Sequence, residues 1–347
     1  MIVVTISSEI DNTLDGGINN KLDSEINNKK VSEIDRKGWL LYMNTVDAEV
    51  LFRWEGVSGG VRITGCTGDF SVLEVPGVID GLPVVEIGNY AFRGKEMLRE
   101  VFLPESLERL GDHVFFNCLH LEKLTVYDTL NYVGDGAFKN CDHLTHMVMH
   151  VRRDRASALR RLLSDVMQDV RVDIFYEKDQ PTGPVHHARL MFPAFFFDYV
   201  ENYPARIFEE VIYGAGQAYR QCFRGGDVDY DAYDRLFERS GREDHVNAVL
   251  EHAVGRLICP YRLKEERKTV YENWLAGHGP ELLKKCMAAE LPEDLEQVLS
   301  LDLYDEEQTK QMIDKALQER KVEFVNLLMA YQGRRFAGKG KRRKYAL

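Results

Sequence analysis

Apolar positions recur through the middle of the chain at a fixed step of 23 residues. Three blocks superimpose without a gap: Ile87-Gly-Asn-Tyr-Ala-Phe92, Leu110-Gly-Asp-His-Val-Phe115 and Val133-Gly-Asp-Gly-Ala-Phe138. The same step relates Leu98, Leu121 and Leu144, then Val101, Leu124 and Met147, then Leu103, Val126 and Met149, so each unit carries an L-x-x-L-x-L pattern. One such unit cannot hide its own leucines. Neighbours must therefore stack, each giving one short parallel strand and a returning segment. The pattern extends upstream to Phe70-x-x-Leu73-x-Val75, a 28-residue step because Asp80 to Val84 is inserted, and downstream to Met167-x-x-Val170-x-Val172 in the 23-residue register. Between Ser157 and Val166 the return segment reads as an amphipathic helix with Leu159, Leu162, Leu163 and Val166 on one face, a closing coil. Alternation at Val50, Phe52 and Trp54, within Trp39 to Ile63, predicts strands that cover the opening end.

From His186 onward the period changes to that of helices, punctuated by Pro204, Gly214, Gly225-Gly226, Gly241, Pro260, Gly277 to Pro280 and Pro292. About eight helices are expected. The stretch from Phe192 to Phe237 is rich in aromatic residues, more than one helix pair can bury, so some of these rings are expected against the last coil. Near the end a helical hairpin occurs twice: Leu282-Leu283-x-x-Cys286-Met287 is answered by Met312-Ile313-x-x-Ala316-Leu317, and Leu295-x-x-Val298-Leu299 by Phe324-x-x-Leu327-Leu328. Asp305 with Gln308 three residues later has the form of a capping box. The expected fold is thus an α/β leucine-rich-repeat solenoid of short parallel strands followed by an all-α domain of stacked helical hairpins. The expected boundaries are a polar, disordered leader over 1–38, the solenoid with its end caps over 39–180, the α-helical domain over 186–332 and a basic flexible tail over 333–347.

Composition narrows the function classes. With 44% hydrophobic residues in 347, there is apolar material for two cores. No apolar run approaches the roughly 18–20 residues of a membrane span, and the amino terminus lacks a basic n-region with a full apolar stretch, so a cytoplasmic protein is expected. Six cysteines without a C-x-x-C pair argue for free thiols. The net charge of −11 hides an asymmetry: Arg334, Arg335, Lys339, Lys341, Arg342, Arg343 and Lys344 crowd the last fifteen residues, leaving the first 332 at −18. So acidic a body repels nucleic acid and anionic membranes, and only the tail would favour them.

The motifs Ile87-Gly-x-x-Ala-Phe92, Phe115-Phe-Asn-Cys118-x-x-Leu121, Ile63-Thr-Gly-Cys-Thr-Gly68 and Ile79-Asp-Gly-Leu-Pro-Val84 resemble the BspA-like class of bacterial leucine-rich repeats over residues 61–176. That resemblance implies the solenoid fold and a binding role. The last helix pair resembles an ankyrin pair in spacing but lacks its Thr-Pro-Leu-His opening.

Several candidate sites follow. Gly333 to Lys339 has the letters of a phosphate loop, but Gly340 stands where Ser or Thr should hold magnesium and a helix precedes it. Cys118-x-His120 and Cys141-x-His143 fall on adjacent coils and carry zinc-type ligands, although cysteine at that place is the resembled class's buried filler. No catalytic, cofactor-binding or metal residues are assigned, and no cofactor is expected. The inner face of the strands is the better surface: Phe102, Lys123, Tyr127, His146, Val148 and His150 alternate with the buried positions and are expected to contact a protein partner of unknown identity. The alternative is an enzyme or small-ligand-binding protein with a pocket around Arg206, Tyr219 and Arg220, at the junction with the aromatic region.

Overall fold

The computed structural model describes residues 3–7, 37–43, 49–153, 155–156, 158–177, 185–202 and 207–336. Most of the expected leader, the tail beyond Phe336 and Arg206 lie outside the described residues. The chain divides into two compact units, Met1–Val166 and Met167–Leu347.

The first unit opens with β1 (Val3–Ser7), β2 (Lys37–Met43), β3 (Glu49–Val57) and β4 (Gly60–Thr67), an antiparallel run. The start of the chain is therefore a strand, where a disordered leader was expected; Val3-Val4-Thr5-Ile6 is a β-branched run suited to pairing. Val50, Phe52 and Trp54 are buried, as their alternation requires. Next come β5 (Val72–Glu74), β6 (Val78–Ile79) and β7 (Leu82–Ile87). The insertion is a tight hairpin: Val78 pairs Pro83 and Ile79 pairs Leu82 around Asp80 and Gly81, both at positive φ. The repeats follow as β8 (Glu100–Phe102), β9 (Arg109–Leu110), β10 (Lys123–Tyr127), β11 (Tyr132–Val133) and β12 (His146–Val151). Strands β5, β8, β10 and β12 are parallel neighbours, β8, β10 and β12 in the 23-residue register with Val101 beside Leu124 beside Met147, and β5 on the 28-residue step that sets Leu73 beside Val101.

Each coil also carries a second, shorter pairing of two or three residues that the repeat pattern did not announce. Strands β4, β7, β9 and β11 form a parallel ladder at Ile63, Ile87, Leu110 and Val133. The core between the two ladders is built of like residues in columns: Leu98, Leu121 and Leu144 are fully buried, and the rings of Phe92, Phe115 and Phe138 follow at 5.4 Å steps. A short helix, α1 (Leu159–Leu162), and a 3-10 turn over Leu163–Asp165 close this unit with Leu159, Leu162, Leu163 and Val166 buried.

The second unit begins with β13 (Val170–Tyr176), β14 (His186–Phe192), β15 (Phe196–Asn202) and β16 (Ile207–Tyr213). Residues 186–192, 196–202 and 207–213 were expected among helices and are strands instead. The antiparallel partner decides it: β14 sets Leu190 opposite Val172 and Phe192 opposite Val170, burying rows that a helix would turn away. The helical part runs α2 (Gly216–Tyr219), the pair β17 (Phe223–Arg224) and β18 (Asp227–Val228), then α3 (Tyr230–Arg235), α4 (Phe237–Glu243), α5 (Val246–Ile258), α6 (Glu265–Ala276), α7 (Gly279–Ala289), α8 (Pro292–Leu299), α9 (Glu306–Gln318) and α10 (Val322–Phe336). The two hairpins read from the sequence are α7/α8 and α9/α10, sharing a core through Leu283, Val298, Met312 and Leu328. Asp305 Oδ1 accepts from Gln308 N at 2.8 Å and Gln308 Oε1 accepts from Asp305 N at 3.0 Å, the reciprocal capping box. Aromatic rings do collect on the last coil strand: Tyr176 stacks on Tyr261 at 4.4 Å and its hydroxyl lies 2.9 Å from that of Tyr230.

Candidate functional site

The face of β8, β10 and β12 is held flat by its buried reverse. Leu124, Val126, Met147 and Met149 point into the core, so period-two alternation turns Lys123, Tyr127, His146, Val148 and His150 outward, with Phe102 on β8. The six predicted residues occupy three adjacent strands: Lys123 pairs His146, Phe102 neighbours Thr125, Thr125 neighbours Val148, and Tyr127 pairs His150. All six are half-buried, the state of side chains that shield one another on a pleated surface.

Interactions along the columns preorganise the face. Lys123 Nζ lies 3.4 Å from Glu100 Oε2 and 5.7 Å above the Phe102 ring. Tyr127 and His150 stack at 5.0 Å with planes 24° apart, and the Arg152 guanidinium lies 5.0 Å over Tyr127 while pairing with Glu105. Planar rings already fixed by neighbours lose little rotamer freedom on binding, which favours them as anchors. Thr125, between them, is buried.

Sequence reasoning missed a second outward row on the other ladder. Arg109 lies 4.2 Å over Tyr132, and Tyr90 stacks on His113 at 5.1 Å. Those residues sit in the return segments, whose second strand is two residues long and has no alternation to read.

The other candidates resolve into structural roles. Cys118 Sγ donates to Phe92 O at 3.2 Å and Cys141 Sγ to Phe115 O at 3.1 Å, one coil apart. Burial pushes the Cys118 thiol up to about 11 and raises that of Cys141, so both are protonated near neutral pH. Among the described residues no group of three or more His, Cys, Asp or Glu is placed to hold a metal ion. Arg206 lies outside the described residues; the other two residues of the expected pocket, Tyr219 and Arg220, are both buried. Arg220 is buried; its Nη1 donates to Pro193 O at 2.6 Å and Gly216 O at 3.0 Å, its Nη2 to Gln168 O at 2.9 Å, and Phe195 covers it at 4.8 Å. Burial, opposed by Asp169, lowers its pKa to about 10. Tyr219 is fully buried against Tyr233 and His252. An open cleft of about 580 Å³ in this unit is lined by other residues, among them Phe196, Tyr213, Asp244, His245 and Asp169.

A buried ion pair also escaped the sequence reading. Arg256 Nε and Nη2 reach Asp234 Oδ1 and Oδ2 at 2.8 and 3.0 Å, Tyr271 Oη donates to Asp234 Oδ1 at 2.8 Å, and His252 Nε2 lies 3.1 Å from Tyr271 Oη. Their spacing in the sequence matches no local motif.

Residues 81–155 match the BspA type Leucine rich repeat region in 6 copies. This stretch is a BspA-type leucine-rich repeat. Among solved structures, the repeat is similar to a T. pallidum leucine-rich-repeat protein at 31% identity over 29% of this chain and 51% of that one, with a TM-score of 0.27. It is similar to a leucine-rich cell surface protein from Faecalibacterium prausnitzii at 21% identity over 35% and 34% of the two chains, TM-score 0.26. A leucine-rich-repeat protein from Bacteroides capillosus shares 24% identity over 28% of this chain and 76% of that one, TM-score 0.26. The chain spans about half the length of the T. pallidum protein. No curated protein matches the chain.

Proposed function

We propose that the chain is a non-catalytic binding module in which the outward face of β8, β10 and β12 engages a protein partner. The observation that carries this reading is the row of Phe102, Tyr127, Val148 and His150, apolar and aromatic groups set on a rigid sheet beside the Glu100–Lys123 and Glu105–Arg152 pairs. Aromatic anchors ringed by charge suit a protein surface better than a small solute. No described helix is long and apolar enough to cross a membrane. All six cysteines are free, which suits a reducing compartment and supports a cytoplasmic setting.

The test compares wild type with a Phe102→Ala, Tyr127→Ala, His146→Ala triple variant as baits for extract of the native cell. A protein retained on wild type and lost from the variant, with melting temperatures matched, is the expected result. Equal retention would count against the face.

A small-ligand role for the second unit rests on its 580 Å³ cleft, where Phe196 and Tyr213 stack at 4.8 Å and both rings are exposed. Such a ligand would raise the melting temperature of wild type and leave a Phe196→Ala, Tyr213→Ala variant unmoved.

A further inference from the structure

In the second unit, three side chains far apart in sequence are brought into line. The β13–β14 register sets Phe175 opposite His187 and Asp173 opposite Arg189, and a backbone bridge between Ala188 and Pro260 brings Cys259, at the end of α5, beside the same strand. Cys259 Sγ lies 3.1 Å from His187 Nδ1, and His187 Nε2 lies 2.7 Å from Asp173 Oδ1. Phe175 stacks on the imidazole at 4.4 Å and fixes its plane.

The surroundings decide the protonation state. Asp173 is buried between two guanidinium groups, Arg171 Nε at 3.1 Å and Arg189 Nε at 3.1 Å, so it stays ionised and acts as an acceptor. Those arginines turn their other ends toward Glu251 at 3.7 Å and Asp294 at 3.8 Å. With Nε2–H donated to Asp173, the Nδ1 lone pair is aimed at the Cys259 thiol. Burial alone would lower the His187 pKa, but Asp173 and Cys259 outweigh it and push it up to about 9. Nucleophile, base and a third group that orients the base form the arrangement that activates a thiol. Cys118, Cys141 and Cys222 direct their sulfur to backbone carbonyls instead.

We propose that Cys259, His187 and Asp173 form an activated-thiol site, a modification site that small electrophiles of the peroxide class oxidise. Cys259 is 7% exposed and the His187 side chain 27%, which favours a reagent of a few atoms over a peptide. In the reaction, the Cys259 thiolate attacks one peroxide oxygen; the S–O bond forms and the O–O bond breaks. The bonding pair leaves on hydroxide, which takes the proton from His187 Nδ1 and departs as water. Sulfur is oxidised by two electrons to the sulfenic acid and hydrogen peroxide is reduced. Asp173 is a positioning residue, holding the ring and its charge.

The experiment uses the full chain, iodoacetamide as the probe of thiolate and hydrogen peroxide as the oxidant, each read at single cysteines by peptide mass spectrometry. Cys259 should alkylate about tenfold or more faster than Cys118, Cys141 and Cys286 at pH 6.5, with a rate nearly flat from pH 6 to 8, and it should be the first sulfur oxidised. His187→Gln should slow Cys259 alkylation on the order of tenfold at pH 6.5 while the difference closes above pH 9. A wild-type Cys259 as slow as the buried cysteines, or one whose rate climbs about tenfold per pH unit from 6 to 8, overturns the proposal. That pH profile needs no variant, so it decides the matter even where His187→Gln fails to fold.

Discussion

At the scale of single residues, the repeat is held by close approaches that admit one side chain only. Asn89 Oδ1 accepts from Asp112 N at 2.8 Å and Asp112 Oδ1 from Asp135 N at 3.0 Å, a ladder running from coil to coil. The glycine before each rung makes room for it: a Cβ on Gly111 would stand 2.4 Å from Asn89 Oδ1 and 2.6 Å from Asn89 N. Gly111→Ala should therefore lower unfolding stability by about 1–3 kcal/mol in urea titration. By contrast, Gly333 in α10 has open space around it, and Gly333→Ala should raise stability by up to about 1 kcal/mol. Arg256 is the other residue on which much depends. Both it and Asp234 are buried, so Arg256→Met leaves a carboxylate without its partner and should cost about 3–5 kcal/mol, read by the same titration. The Gly-Asn/Asp step was visible in the sequence as a repeated pair of letters. Its reason, a side chain of one coil reaching the backbone of the next, was not.

Among elements, legibility followed period. The L-x-x-L-x-L strands and both helical hairpins were readable because burial imposes a spacing on the sequence, and the Asp305 capping box because its two hydrogen bonds join residues three apart. Asp305→Ala should accordingly cost about 1 kcal/mol, measured as a lower unfolding midpoint. The two-residue strands of the second ladder have no period to show. Strand β14 was obscured for a different reason: a short apolar run such as Leu190 to Phe192 suits a buried helix as well as a buried strand. Pairing with Val170–Tyr176 settled the matter for β14. The outward positions of Phe102, Lys123, Tyr127, His146, Val148 and His150 were legible because they alternate with the buried leucines, whereas Thr125, on the same side by alternation, is buried.

For the molecule as a whole, two histidines set opposite limits on stability with pH. His252 is fully buried, and burial, reinforced by the charge of Arg256, lowers its pKa well below the ordinary value. Its folded value lies below its unfolded one, so the unfolded chain gains the proton first. Stability is then full above about 6.5 and falls by up to about 1.4 kcal/mol per pH unit below it. His187 is shifted the other way, to about 9, so its contribution is complete below about 6.5 and is lost as the pH rises through about 9. Melting temperatures should be highest near neutrality and fall on both sides. His252→Gln should flatten the limb between pH 5 and 6.5, and His187→Gln the alkaline one; an unchanged slope in either variant contradicts the assignment.

What the sequence determined by itself is whatever burial writes as a period: the 23-residue coil, its strand register, the outward columns with Phe102, Tyr127 and His150, and the helical hairpins. Tertiary structure alone decided the contacts between residues that share no local spacing. The carbonyls gathered by Arg220, the Asp234–Arg256 pair and the Cys259–His187–Asp173 line each join groups from separate elements. A period exists because every coil meets the same neighbour in the same way. A polar cluster forms once, at one crossing of the chain, and nothing repeats to announce it.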